Sequence, residues 1–412
     1  MLTKLFFSKE INKICQNMCY NHNRGGIVLA NRIILNETSY FGYNARESLA
    51  AEIRGRGYKK ALVVTDKALL DAKVTNKITE ILDSISLPYE IYSDIKPNPN
   101  VKNVNEGLEV LKESNADFLI AVGGGSVIDT TKCMSIIMTN PEFSDVVSLD
   151  GVANTKNKGM PIIALPTTAG TAAEVTINYV ITDDERKKKM VCVDPHDIPE
   201  IAIIDPELMA TMPKSLKAAT GMDALTHAME GYITKGAWLM TDMFHKQAMN
   251  LIYHNLAKAV NEKNKDAIEK VGYGQYIAGM GFSNVGLGIV HSMAHSLGAY
   301  FDTPHGLANA LLLPHVLRWN GIVCPNRFRD MGREFGLNMD NLTDEEAVNK
   351  VADAVDELAR AVGIPKTLKE IGIPYDALAP LANQAINDVC TSGNPREVTK
   401  EDILALYKEA YE

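Results

Sequence analysis

The first half of the chain alternates short apolar runs with helical stretches, and this alternation constrains the fold more than any other feature of the sequence. Four of the apolar runs have the length and the β-branched content of buried strands, and they occupy residues 60–66, 88–92, 117–122 and 161–166. Such runs, separated by helices of roughly ten to fifteen residues, are typical of βαβ units. The pattern between Asn31 and Asp205 therefore predicts a Rossmann-like, largely parallel sheet.

The second half of the chain has no comparable strand pattern. After Pro206 the sequence is rich in Ala, Leu, Met and Glu at helical spacing, as in residues 348–362 and 400–411. We therefore expect two domains, an α/β domain at residues 28–207 and an all-α domain at residues 208–412.

Composition and charge narrow the class of protein. The 412 residues, of which 46% are apolar and 23% charged, describe an ordinary globular chain. A net charge of −9 and one short basic run, at residues 186–189, give no basic surface for nucleic acid. Six cysteines without a C-x-x-C pair are typical of reduced thiols, and no apolar run approaches the roughly 18 residues of a membrane span. We expect a cytoplasmic protein that binds neither nucleic acid nor membranes.

Histidines and one aspartate form the most specific chemical pattern. Asp223 and His227 are four residues apart, so on a helix their side chains share one face. Together with His291 and His305 they offer one carboxylate oxygen and three imidazole nitrogens to a divalent cation. The absence of thiolate ligands argues against a closed structural zinc site. The alternative is that each histidine is a separate core or surface residue.

His295 needs a different role, because it lies one helical turn after His291 and is not required as a ligand. A residue that supports a ligand or relays a proton fits this position. The alternative is that His295 packs beneath the site and hydrogen-bonds a carbonyl group.

A glycine-rich turn follows the third predicted strand and predicts a phosphate-binding site. Gly124, Gly125 and Ser126 open a helix at about Val127, where backbone N–H groups attract phosphate. The turn is neither a G-x-G-x-x-G fingerprint nor a Walker A loop, so a plain strand-to-helix turn remains the alternative. The hydroxyl-rich turn 167–171 after the fourth strand can line the same crevice.

Two charged residues indicate which nucleotide such a phosphate-binding site would accept. Asp66 ends an apolar strand, where a carboxylate can accept hydrogen bonds from a ribose diol and repel a 2′-phosphate, which favours NAD over NADP. The competing interpretation of Asp66 is a helix N-cap. Lys189 can neutralise a phosphate, or it is simply solvated within the basic run.

These motifs together resemble the iron-activated (group III) alcohol dehydrogenase family. The residues that carry the resemblance are the glycine turn, Pro166–Glu174, Gly221–Glu230 and the block with His291, His295 and His305. The match runs in order from about Ala30 to the C-terminus. Four stretches are most similar to members that interconvert lactaldehyde and 1,2-propanediol, at residues 30–38, 191–199, 279–288 and 388–396.

The resemblance implies a homodimer of two-domain subunits with a dehydroquinate synthase-like architecture, and a role in fucose and rhamnose metabolism. It places NAD(H) in the cleft and Fe²⁺ on Asp223, His227, His291 and His305, although some members of the family bind Zn²⁺. His295 would be catalytic. Residues lining the cofactor site would be Asp66, Asn98, Gly124, Gly125, Ser126, Thr167, Thr168, Thr171, Asn178 and Lys189. Residues bordering the substrate would be Asn178, Phe282 and Cys390.

Residues 1–27 have no counterpart in the family pattern and lack the apolar core of a secretory signal. An amphipathic stripe in residues 1–20 would suit a targeting helix that docks on a partner such as a microcompartment shell. The favoured interpretation is an over-extended gene start, with Val28 or Leu29 as the initiator.

Four other functions remain open. A broader short-chain alcohol dehydrogenase or a 1,3-propanediol dehydrogenase would use the same residues. A metal- and NAD-dependent lyase of the dehydroquinate synthase type would need several Lys and Arg residues near the metal for its polyanionic substrate. A non-catalytic binding module would not need the ligand set, the cofactor turn and His295 together.

Overall fold

A computed structural model describes residues 30–262 and 264–412 of the chain. The extension predicted at residues 1–27, with its two interpretations, lies outside the described residues. Within them, no helix is both long and apolar enough to cross a membrane.

The described part of the first half contains two sheets. The strands, in chain order, are β1 (Thr38–Phe41), β2 (Ala61–Val64), β3 (Tyr89–Tyr92), β4 (Phe118–Gly123), β5 (Gly151–Val152), β6 (Ile162–Pro166), β7 (Asn178–Asp183), β8 (Lys188–Val193) and β9 (Ile201–Ile204). The larger sheet has the order β1-β9-β6-β4-β2-β3, and all of its pairings are parallel. The four strands expected from the apolar runs are β2, β3, β4 and β6, so this prediction is confirmed.

Helices cover the larger sheet on both sides of its apolar strands. They are α1 (Leu49–Arg56), α2 (Lys67–Asp71), α3 (Asn76–Ser84), α4 (Val101–Ser114) and α5 (Gly125–Thr139). Two separate apolar clusters, one including Leu62 and Val64 and the other Ala61 and Val63, show that successive residues of β2 face opposite layers. Because both faces are buried, the strand reads as a continuous apolar run.

The smaller sheet has the order β5-β8-β7. Its strands β7 and β8 form an antiparallel hairpin in which Asn178 pairs with Val193 and Thr182 with Lys189. The hairpin therefore carries two of the predicted cofactor residues, Asn178 and Lys189.

From Pro206 onwards every named element in the described residues is helical. These helices are α6 (Pro206–Met209), α7 (Lys214–Ile233), α8 (Leu239–Asn261), α9 (Lys265–Val285), α10 (Ile289–Phe301), α11 (His305–Gly321), α12 (Pro325–Glu334), α13 (Asp344–Ala361), α14 (Leu378–Ala385) and α15 (Lys400–Tyr411). Helices α7, α8 and α9 pack on one another, and α7 also packs on α11. The predicted combination of a parallel sheet followed by an all-α region is confirmed.

The sheet order also locates a crevice. Along the chain, β2 is followed by its outer neighbour β3, and β4 then returns to the other side of β2 before β6 and β9 extend the sheet in that direction. Strand order thus reverses between β2 and β4. In open α/β sheets, ligands bind at the carboxyl ends of the strands beside such a reversal. The residues at that place are Asp66, after β2, and Gly124, after β4.

Candidate metal and cofactor site

Three helices bring the four predicted metal ligands together. Asp223 and His227 lie one turn apart on α7, His291 lies on α10 and His305 is the first residue of α11. One potential ligand atom from each of these residues lies within 4.8 Å of the others. The carboxylate of Asp223 is 3.5 Å from Nε2 of His305 and 4.0 Å from Nε2 of His291. The spatial cluster predicted from the sequence is therefore present.

The electrostatics of the cluster suit a cation. Burial lowers the pKa of His227 and holds the pKa values of His291 and His305 well below the usual range of histidine, because a buried imidazolium is poorly solvated. Burial also raises the pKa of Asp223, because the surrounding contacts do not fully replace the lost solvation of its negative charge. Neutral imidazoles beside an uncompensated carboxylate form a donor set that a divalent cation would satisfy.

Asn309 marks the point on which the ligand atoms converge. Its Nδ2 atom donates to Oδ1 of Asp223 at 2.6 Å and lies 3.1 Å from Nε2 of His305 and 3.2 Å from Nε2 of His291. One donor thus contacts three acceptors that a cation would also contact. In the described part of the chain, the buried Nδ1 of His227 has no hydrogen-bond partner, so it is a fourth atom available as a metal ligand. The residues present therefore fit a bound metal ion.

Supporting contacts orient the histidine rings. Nδ1 of His291 lies 2.6 Å from Oε2 of Glu230, and the other oxygen of Glu230 accepts the backbone N–H of Val290 at 2.8 Å. A carboxylate on Nδ1 keeps the proton there and leaves Nε2 of His291 as an acceptor. The ring of His227 stacks on Phe282, with ring centres 4.2 Å apart and planes within 10°.

Glu230 and Asn309 were not predicted from the sequence. A spacing signal existed for both, because Glu230 lies seven residues after Asp223 on α7 and Asn309 lies four residues after His305 on α11. Both spacings place side chains on one helix face. Their amide and carboxylate types were not specific enough to distinguish them from ordinary buried polar residues.

His295 lies beside the cluster and is held by a carboxylate. Its ring stacks on that of His305, with centres 5.3 Å apart and planes within 15°. Its Nδ1 is 2.9 Å from Oδ2 of Asp388, so the hydrogen-bond partner is a carboxylate and not the carbonyl group of the alternative interpretation. Asp388 precedes the 3₁₀ segment Val389–Gly393, and its Oδ1 accepts the backbone N–H of Cys390 at 2.9 Å.

The predicted phosphate-binding turn packs against the hydroxyl-rich turn. Helix α5 begins at Gly125, two residues before the predicted start, because the carbonyl of Gly124 already accepts the N–H groups of Val127 and Ile128. A Cβ atom on Gly125 would lie 2.7 Å from Cγ2 of Thr171, and one on Gly124 would lie 3.0 Å from Cγ2 of Thr168. Glycine at these positions therefore permits the close approach of the two turns. The neighbouring residues Ser126 and Thr167 lie on the same two turns.

Asp66 caps a helix, as the competing interpretation proposed. Its Oδ1 accepts the backbone N–H of Leu69 at 2.9 Å at the start of α2. The residue is half-buried and follows β2 at the reversal of strand order. A cap through one oxygen does not prevent the carboxylate from facing a ribose, so both roles fit this position.

Lys189 connects the sheet region to the helical region. It is buried, so the interpretation of a solvated side chain in a basic run is wrong for this residue. Its Nζ donates to Oδ1 of Asn98, whose Nδ2 donates in turn to Asp302 after α10. Burial lowers the pKa of Lys189 to about 8, against the opposing effect of nearby carboxylates that include Asp302 and Asp129.

The predicted substrate residues occupy three different settings. Phe282 is buried against His227, and Cys390 is half-buried beside Asp388, so both are close to the histidine cluster. Asn178 is half-buried at the start of β7, where its carbonyl accepts a hydrogen bond from the buried Nζ of Lys132 at 2.7 Å.

Two family models together cover almost all of the described chain. A model described as "Iron-containing alcohol dehydrogenase" matches residues 36–206, and one described as "Fe-containing alcohol dehydrogenase family, C-terminal" matches residues 217–411. The chain is 54% identical to lactaldehyde reductase of Escherichia coli K12 over 383 residues, which are 93% of this chain and 100% of that protein.

Solved structures agree with these matches. The crystal structure of a 1,3-propanediol oxidoreductase superposes with a TM-score of 0.90 at 38% identity, covering 93% of this chain and 100% of the other. Sulfoacetaldehyde reductase from Bifidobacterium kashiwanohense, solved in complex with NAD⁺, superposes with a TM-score of 0.82 at 28% identity, covering 93% and 99%. With its ligand cluster and its two-part fold, this chain belongs to the iron-containing alcohol dehydrogenase family.

Proposed function

We propose that this enzyme interconverts lactaldehyde and 1,2-propanediol with NAD(H) and a resident Fe²⁺ ion. The observation that carries the proposal is the convergence of Asp223, His227, His291 and His305 on one point, in a chain 54% identical to a lactaldehyde reductase over that protein's whole length. The two turns at the reversal of strand order supply a separate place for the nucleotide.

The four-residue cluster would hold the metal. A divalent cation bound there would supply Lewis acidity, which favours hydride addition to a carbonyl group. Three imidazoles and one carboxylate suit Fe²⁺ and also suit Zn²⁺, since no thiolate is present to select the softer ion. The family match supports iron as the native metal.

The turns at Gly124–Ser126 and Thr167–Thr171 would hold NAD(H), and the nicotinamide supplies or accepts the hydride. Backbone N–H groups at the start of α5 suit the pyrophosphate. Asp66 is placed to accept from the adenosine ribose and to disfavour a 2′-phosphate. The NAD⁺ complex of the sulfoacetaldehyde reductase supports a nicotinamide cofactor in this fold.

His295 is the residue we assign to proton exchange with the substrate oxygen. Because Asp388 accepts the hydrogen bond at Nδ1, the ring keeps its proton on that nitrogen and Nε2 is left to accept or release one. The stacked ring of Phe282 shields His227 from water and narrows the space beside it. Asn178 and Thr171 would hold the hydroxyl group next to the reacting carbon.

We also propose that the enzyme is a cytoplasmic homodimer, on the grounds of its resemblance to this family. Sedimentation equilibrium of the full-length chain tests the dimer, because a single species of one-chain mass would contradict it.

The substrate is tested by comparing kcat/KM for lactaldehyde, 3-hydroxypropanal and butanal with NADH. Loss of one substrate hydroxyl contact costs about 1 kcal/mol, so butanal should react roughly fivefold less efficiently than lactaldehyde. A preference for 3-hydroxypropanal would favour a 1,3-propanediol dehydrogenase, which the similarity to the 1,3-propanediol oxidoreductase makes the second candidate. A preference for butanal would indicate a general short-chain alcohol dehydrogenase.

A further inference from the structure

A second group of potential metal ligands lies beside the first and shares no residue with it. One potential ligand atom from each of His295, Asp388 and Cys390 lies within 4.8 Å of the others. Metal–ligand bonds of about 2.0–2.3 Å place two ligand atoms of one ion roughly 3–4 Å apart. Small side-chain rotations would therefore bring these three residues onto a single ion.

Local structure holds the three donors in place. Asp388 caps the 3₁₀ segment Val389–Gly393 by accepting the backbone N–H of Cys390, so the carboxylate and the thiol share one turn. His295 comes from α10 and reaches Asp388 at 2.9 Å. The side chains of His295 and Asp388 are 8% and 11% exposed, so the group is sheltered but still reachable from solvent.

The chemistry of the donors differs from that of the four-residue cluster. A thiolate, an imidazole and a carboxylate together suit Zn²⁺ and Co²⁺, whereas the first cluster offers no sulfur. We propose that His295, Asp388 and Cys390 form a second, weaker zinc site, and that zinc bound there inhibits the enzyme. The inhibitory effect rests on the proposed function, whereas the binding of zinc does not.

The existing hydrogen bond explains both the weakness and the inhibition. Zinc can bind only after Nδ1 of His295 loses its proton and its contact with Asp388, and the thiol must also ionise. The neighbouring site, whose ligand His305 stacks on His295 with ring centres 5.3 Å apart, would already hold a cation that repels a second one. Once Nδ1 is bound to zinc, the ring's remaining proton lies on Nε2, which can then no longer accept one.

Cobalt titration tests the binding, because thiolate–cobalt bonds produce a charge-transfer band in the near ultraviolet. We expect metal-free full-length enzyme to develop visible ligand-field bands with the first equivalent of Co²⁺ and the thiolate band with the second. Cys390→Ser should lack the thiolate band and keep the visible bands. Cys324→Ser, in which the replaced cysteine is also partly buried, should keep both.

The other cysteines remain in Cys390→Ser, so a thiolate band that persists in this variant would overturn the site. Failure of wild type to bind a second equivalent of Co²⁺ would overturn it equally.

The inhibitory role is tested by titrating Zn²⁺ onto iron-loaded enzyme, and the rate of each variant is compared with its own rate without zinc. Wild type and Cys324→Ser should be inhibited at concentrations at least tenfold below those that inhibit Cys390→Ser, and equal sensitivity would refute the inhibitory role. Absence of lactaldehyde reduction would refute the proposed function, while the cobalt band would still decide the zinc site.

Discussion

The donor type of each buried side chain determines what the cluster on α7, α10 and α11 can bind. Nδ2 of Asn309 contacts acceptor atoms of Asp223, His291 and His305 at 2.6–3.2 Å, so these atoms point inward at a common position. Glu230 controls which nitrogen of His291 takes part, and Asp388 does the same for His295. In the proposed function, two carboxylates outside the four-residue cluster thus divide neighbouring histidines between metal binding and proton exchange.

A single residue, Asp66, should control the choice between the two nicotinamide nucleotides. An ionised carboxylate beside the adenosine ribose would repel a 2′-phosphate, and each tenfold of discrimination corresponds to about 1.4 kcal/mol. Asp66→Gly should therefore raise kcat/KM for NADPH while that for NADH falls or is unchanged.

Because Asp66 also caps α2, the variant Asp66→Asn serves as the control, since its amide oxygen retains an acceptor for the cap and loses the charge. Both variants should relax the preference for NADH. Steady-state rates with each nucleotide decide the matter, and an unchanged ratio in both variants would leave Asp66 with the role of a helix cap only.

At the scale of elements, the start of α5 and the turn after β6 approach closely, and together they form the proposed nucleotide site. Gly125→Ala would place a Cβ atom 2.7 Å from Cγ2 of Thr171, so one of the two turns must move. We expect KM for NADH to rise roughly tenfold, which corresponds to about 1.4 kcal/mol, with metal content unchanged.

Gly55→Ala is the matched control, because Gly55 lies in α1 and an added Cβ atom there meets nothing within 4 Å. This variant should keep the wild-type KM and gain up to about 1 kcal/mol in unfolding free energy from helix propensity. A wild-type KM in Gly125→Ala would contradict the assignment of this turn to the nucleotide.

Three helices of the second domain meet around a buried histidine. The ring of His245 on α8 is wedged between Gly231 of α7 and Gly281 of α9, where an added Cβ atom would collide with its Nε2. Neither ring nitrogen has a hydrogen-bond partner in the described residues. Burial lowers the pKa of His245 to about 3 from the usual histidine value of about 6.5. The imidazole is thus present as a neutral, flat packing group.

This depressed pKa links stability to pH. Between pH 6.5 and 3 the unfolded chain binds a proton at His245 that the folded chain does not, so the stability is present above pH 6.5 and is lost as the pH falls. Between pH 7 and pH 5 the loss should be about 2 kcal/mol. Urea unfolding at both pH values, followed by circular dichroism, measures it. His245→Phe keeps a flat ring without the titration and should show a shallower loss, whereas equal losses in both proteins would contradict this account.

At the scale of the whole molecule, the pattern of apolar residues predicted the strands of the sheet that are completely buried. Strands β2, β4 and β6 are buried on both faces and therefore read as apolar runs, and the helical half followed from its 3.6-residue spacing. The hairpin β7–β8 was not predicted, because its strands mix buried with half-buried residues and the basic run 186–189 spans its turn and the start of β8. Burial of Lys189 depends on contacts with Asn98, which is far away in the sequence.

The clustering of the four candidate metal ligands could be predicted because several histidines and a carboxylate at such spacing are rare and chemically specific. Asn309, Asp388 and Glu230 could not be singled out, since their types are common and only the packing of separate helices brings them to the histidines. The candidate cofactor turn could be predicted only in part. Its glycines were visible in the sequence, but their contact with Thr168 and Thr171 needed the sheet order.

In the proposed function, one metal ion held by four residues of the helical region is required for turnover, whereas the nucleotide is held by other residues. Metal content, NADH binding and NADH oxidation with lactaldehyde should therefore be measured together on anaerobically purified wild type, His291→Ala and His254→Ala. His254 is an exposed residue of α8 that contacts the carbonyl of Glu334, so its variant is the matched control. We predict about one iron per chain and normal turnover in wild type and His254→Ala. His291→Ala should lose both metal and turnover yet still bind NADH. A His291→Ala protein that retained stoichiometric metal and normal rates would show that this cluster does not hold a required metal ion.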